Sequence, residues 1–82
     1  MPSPTPPAYA VIGATGGHGV DLRRGPGFTA IVAALSDGTI VQLTGGMTRR
    51  EGFLWRRVVV PDGRVGWVAQ PYLVPYRHFQ AP

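Results

Sequence analysis

Glycines at 13, 16 and 19, following the apolar pair Val11-Ile12, imitate the loop that cradles a dinucleotide's pyrophosphate. That loop works when its last glycine opens a helix whose N-terminal amides meet the phosphates, inside a strand-helix-strand unit. Here Gly25-Pro26-Gly27 breaks the chain soon after Gly19, and 82 residues are too few for a doubly wound sheet. The segment Gly13-Ala14-Thr15-Gly16-Gly17-His18-Gly19 is therefore expected to be a flexible loop with no cofactor. Hydrolytic chemistry has little to work with. Ser3 lies in a proline-rich start and Ser36 in a turn, neither with a base at hand. The carboxylates are Asp21, Asp37, Asp62 and Glu51, and Asp37 and Asp62 each precede a glycine as turn formers do. His18 and His78 read as solvated side chains, and without cysteine there is neither a disulfide nor a zinc cluster. The chain is expected not to be an enzyme, and to have no catalytic residue, cofactor or metal.

Binding chemistry is better represented. Tyr9, Phe53, Trp55, Trp67, Tyr72 and Tyr76 offer more ring area than a small core needs, since each ring can bury roughly 150–250 Å². Two or three rings are expected to fill the interior and the others to line a surface, with Trp67 expected only to cover a barrel end. Eight arginines and no lysine give a net charge of +4, with adjacent pairs at 23–24, 49–50 and 56–57. Such a balance suits an anionic partner, and equally suits a GC-rich coding sequence.

The elements that must hold these groups read as short strands between forced turns. Twelve glycines and nine prolines in one small domain indicate many turns and an all-β barrel or sandwich. Residues 1–7, with prolines at 2, 4, 6 and 7, read as a linker or tail, residues 8–76 as the domain, and residues 77–82 as a C-terminal tail. Strands are expected at Tyr9-Ala10-Val11-Ile12, at the edge strand Val20-Asp21-Leu22, within residues 28–35, at Ile40-Val41-Gln42-Leu43 and over residues 53–60. Asp37-Gly38 and Asp62-Gly63 are expected to close hairpins, the second organising the sheet. Residues 44–52 are expected to form a mobile exposed loop, and Pro71-Tyr72-Leu73 a 3₁₀ turn before a last strand Val74-Pro75-Tyr76. No apolar run approaches the ~20 residues of a spanning helix, and no signal peptide is expected ahead of the domain. The chain is expected to be soluble, without membrane insertion.

Several of these stretches resemble the bacterial SH3-like (SH3b) domains, modules often attached to cell-wall hydrolases and envelope proteins. They are Gly19-Val20-Asp21-Leu22-Arg23-Arg24-Gly25-Pro26-Gly27, Gly38-Thr39-Ile40-Val41, Trp55-Arg56-Arg57-Val58, and Asp62-Gly63-Arg64-Val65-Gly66-Trp67-Val68 followed by Tyr72-Leu73. The resemblance implies an all-β SH3-like barrel of five to seven short strands with a 3₁₀ turn before the last. It implies inward-facing Leu22, Val41, Leu43, Val58, Val68 and Leu73. It also implies a groove floored by Trp55 and Tyr72 and rimmed by Ala69 and Asp21, with Arg24 and Arg57 as neighbouring cations. The sequence departs from the family at Arg24 and Gly27, where serines are usual, and at Arg56, where an aromatic is common.

The first expectation is a non-catalytic module binding bacterial cell-wall peptide or anionic wall polymer, with rings stacking on a chain and guanidinium groups pairing its acids. Its implied address is the cell envelope, outside the cytoplasm. A second is a protein-interaction or structural module packed on a partner or a neighbouring domain of a longer protein. A third is nucleic-acid binding through the arginine pairs.

Overall fold

The computed structural model describes residues 8–76, so the proline-rich linker and the C-terminal tail read from the sequence lie outside the described residues. Seven strands form one antiparallel sheet: β1 (Ala8–Ile12), β2 (Val20–Arg23), β3 (Ile31–Leu35), β4 (Ile40–Arg50), β5 (Phe53–Val59), β6 (Val65–Ala69) and β7 (Leu73–Pro75). A 3₁₀ turn, Gln70–Tyr72, joins β6 to β7, and the lateral order is β3-β2-β6-β5-β4-β1-β7. The sheet curls around a single core, because Leu35 from one lateral end and Leu73 from the other share a cluster with Ile12, Leu22, Val41, Val58 and Val68. The result is the small all-β, barrel-like fold expected from the turn-rich sequence. No helix among the described residues is long and apolar enough to cross a membrane.

The core is aliphatic. On β5, Val58 is buried while Arg57 points away, and on β6 Val68 is buried beneath half-exposed Trp67, as the two-residue period of a strand requires. Leu22, Val41, Val58, Val68 and Leu73 face inward as expected, and Leu43 packs against them partly buried. Of the six rings considered, Tyr72 packs partly buried against the core cluster and Trp55 is buried outside it, so two rings are inside or against the interior, and the expectation that Trp55 lines a surface is corrected.

Turn chemistry explains the other corrections. Residues 44–50 extend β4 to eleven residues rather than forming a loop. A bulge between Leu43 and Met47 absorbs the Gly45-Gly46 pair, and Glu51 (φ +51°) and Gly52 (φ +82°) then make a two-residue connection with both residues left-handed. The hairpin at Asp62-Gly63 forms, but only Gly63 is left-handed. Its amide donates to the Val60 carbonyl at 2.8 Å around Pro61 and Asp62, giving a longer connection than a two-residue turn. Asp37-Gly38 joins no hairpin: the strands on either side, β3 and β4, lie four places apart in the sheet, and the turn carries the chain between them. It is tied instead to β1, the Gly38 amide donating to the Ile12 carbonyl and the Ile12 amide to that of Thr39. β2 is flanked by β3 and β6, so β3 takes the edge position expected for β2. Gly66 is required by close approach: a Cβ there would stand 2.6 Å from the Leu22 side chain and 2.7 Å from the Arg23 carbonyl oxygen.

Candidate functional site

On the outer face of the sheet, opposite the core, β5 places Phe53, Trp55 and Arg57 in alternation, and β6 places Trp67 and Ala69 beside them, with Trp55 opposite Ala69 and Arg57 opposite Trp67. β2 adds Asp21 and Arg23, the latter paired with Trp67. The small Ala69 side chain leaves room beside the indole. A cavity of about 310 Å³ opens there, lined by Phe28, Phe53, Trp55, Ala69 and Tyr72 together with Thr15, His18, Gly19, Val20, Asp21 and Arg23.

The indole is less available than an exposed floor would be. Trp55 is only 2% exposed, its Nε1 donates to the Arg50 carbonyl at 2.9 Å, and Phe28 and Phe53 stand edge-on to it with centroids 5.5 and 6.2 Å away. Phe28, 59% exposed, is the most open of these rings. Its loop is specified locally: the Thr29 hydroxyl accepts from the Gly25 amide and donates to the Gly25 carbonyl, and the Arg24 amide donates to the Ala30 carbonyl. A tie from outside completes it, since the Phe28 amide donates to the Glu51 carboxylate at 3.0 Å across from the β4–β5 turn.

Arg23 is the cation of this cavity. Its guanidinium lies 5.2 Å from the Phe28 ring centroid, donates to the Thr29 carbonyl at 2.8 Å and pairs with the Asp21 carboxylate at 3.6 Å. The Thr15 part of the lining is braced as well. Thr15 donates its hydroxyl hydrogen to Asp37 and accepts the Gly19 amide at 2.8 Å, so residues 13–19 are held where a flexible loop is expected.

Of the residues singled out from sequence, Trp55, Tyr72, Asp21 and Ala69 converge on one cavity. Arg24 and Arg57 do not line it: Arg24 follows the end of β2 with its side chain exposed, and Arg57 lies two residues along β5 from Trp55, beside Trp67. Sequence reasoning missed Phe28, Arg23, Thr15 and His18 as lining groups. The signal for Phe28 is a large apolar side chain directly after the Gly25-Pro26-Gly27 turn. Among the described residues no three His, Cys, Asp or Glu side chains come together as metal ligands would. The arrangement offers an apolar, ring-edged trough with one carboxylate and one guanidinium at its margin. Comparison with protein-family models, with curated proteins and with solved structures finds no match to the chain.

Proposed function

We propose that the protein is a non-catalytic binding module whose outer cavity receives an extended peptide, and that the peptide is a stem of bacterial cell-wall material. The observation that carries this reading is the convergence of Phe28, Phe53, Trp55, Tyr72 and Asp21, drawn from four separate parts of the chain, on one trough of about 310 Å³. A trough of that size takes two or three residues of a chain rather than a bulky folded surface. The cell-wall source is supported by the resemblance of the Gly19–Gly27 and Asp62–Val68 motifs to SH3b modules. The charge lining favours peptide over anionic polymer, since the one lining guanidinium is already engaged by Asp21, Phe28 and Thr29.

The nucleic-acid reading is the less favoured one, because the arginine pairs do not act as pairs on one surface. Neighbours on a strand point to opposite faces, so each of the three arginine pairs sends one member, Arg23, Arg50 or Arg57, to the aromatic face, and Arg23 there is already engaged by Asp21. Co-sedimentation with purified peptidoglycan tests the proposal. Wild type is expected to pellet with the wall material, Phe28→Ala and Tyr72→Ala to remain mostly in the supernatant, and Arg49→Ala to behave as wild type. Absence of wild-type binding, or pelleting of Phe28→Ala and Tyr72→Ala to the same extent as wild type, overturns it. Loss of binding when wall teichoic polymer is stripped while peptide stems remain would assign the anionic polymer instead.

A further inference from the structure

The two lateral ends of the sheet are finished differently. β7 is three residues long and ends in Pro75, which blunts that edge. β3 is the other end, and among the described residues it pairs with β2 alone. A strand bonded on one side turns alternate amides and carbonyls outward. No turn or loop among the described residues bonds to the backbone of β3. Its sequence, Ile-Val-Ala-Ala-Leu, has neither a charge nor a proline, and Ile31 is 57% and Val32 37% exposed. Its one irregularity, the register shift opposite Leu22 and Arg23, leaves residues 33–35 in regular pairing with β2.

We infer that β3 is an interface to a second copy of this chain, the two β3 strands running antiparallel about a two-fold axis and joining the two sheets edge to edge. Three observations select that partner. A strand paired antiparallel with itself is isologous, so every backbone bond occurs twice, and an uncharged strand meets its own copy without local repulsion although each chain carries a net charge of +4. A foreign extended peptide is selected through pockets for its alternate side chains beside the edge, and the cavities of about 310, 410 and 150 Å³ include no residue of β3. The pairing also closes at two copies, because β3 is consumed by the two-fold contact and the short, proline-ended β7 offers no ladder to a third. Five residues a side make a contact below the standard interface of ~1,200–2,000 Å², so the dimer is weak and concentration-dependent. No residue of β3 lines the aromatic trough, and the assignment is independent of the wall-peptide reading.

Sedimentation equilibrium of the full chain, from about 10 µM to about 1 mM, covers the range in which a weak interface fills. The wild-type mean mass is expected to rise from the 8.8 kDa of one chain toward twice that value and to stop there. Ile31→Lys and Ala34→Lys each place a charge at an exposed position of β3, and both are expected to stay at the mass of one chain with an unchanged urea midpoint in dilute solution. Val74→Lys puts the same charge on the opposite edge and is expected to associate as wild type does. Amide exchange within β3 is expected to slow with wild-type concentration and not to do so in Ile31→Lys. A wild type that stays at one chain's mass throughout, undiminished association of both β3 variants, loss of association in Val74→Lys, or a mass that climbs past two chains each overturns the assignment.

Discussion

Gly66 and Asp62 show how much of this molecule hangs on single positions in one hairpin. Replacing Gly66 by alanine puts a methyl group against the Leu22 side chain and the Arg23 carbonyl, and the backbone partner cannot rotate away. Such overpacking costs about 1–3 kcal/mol, to be read as a lowered urea midpoint with the slope unchanged. Asp62 has the opposite character, being fully exposed yet well connected. Its carboxylate accepts the Arg64 side-chain Nε–H at 2.7 Å and the Arg64 amide at 3.0 Å, and the guanidinium charge adds to these in holding its pKa below the ordinary carboxylate value. A carboxyl that is more acidic folded than unfolded stabilises the fold above the ordinary carboxylate range and loses that effect as pH falls through its lowered value. The difference in urea midpoint between wild type and Asp62→Asn is therefore expected to be small and constant near neutrality and to shrink below about pH 4. A difference that grows with acidification contradicts the assignment.

The loop carrying Phe28 and the β4–β5 turn behave as one unit, although more than twenty residues separate them in sequence. Phe28 covers the buried indole of Trp55, and Glu51 holds the Phe28 amide, so the turn positions the most exposed ring of the cavity. Phe28→Ala is expected to expose Trp55 and to forfeit ring contacts worth about 0.5–1.5 kcal/mol per pair. In a Trp67→Phe background, emission should move to the red and acrylamide quenching should rise. Glu51→Gln should produce a smaller change of the same kind, and no change in either variant would mean the ring does not shield the indole. This pairing also marks where sequence reasoning stops. The Asp-Gly at 62–63 announces its hairpin because aspartate and glycine suit a turn, but Glu51-Gly52 carries no such signature, so the long second half of β4 reads as loop. Trp55, Tyr72, Asp21 and Ala69 could be gathered because a motif order links them. Arg23 could not be told from Arg24 without the register that sends their side chains in different directions.

Because one sheet curls around one core, no part of residues 8–76 has a private interior. Leu22 is fully buried at the meeting of β2 and β6, Leu35 contributes from the free edge at β3, and Leu73 from the other edge at β7. Leu22 and Leu73 are among the inward positions that the motif resemblance implies, whereas Leu35 is not. The lateral order was not readable from the sequence, since it depends on which non-adjacent strands meet, and the Ser36–Thr39 crossing from β3 to β4 leaves no mark beyond a turn. A shared core without cysteine or a metal cluster among the described residues makes packing the main source of cooperativity. Leu22→Ala should cost about 2–5 kcal/mol, and the Leu35→Ala and Leu73→Ala variants should lower the same transition although their strands lie at opposite ends of the sheet. Near-ultraviolet dichroism, Trp fluorescence and far-ultraviolet dichroism should report coincident urea curves in each variant. If Leu73→Ala instead melts β1 and β7 ahead of the rest, so that the far-ultraviolet curve precedes the fluorescence of Trp55 and Trp67, the two ends of the sheet are separately stable. The aromatic trough, built on β2, β5 and β6, would then persist without the strands that complete the curl.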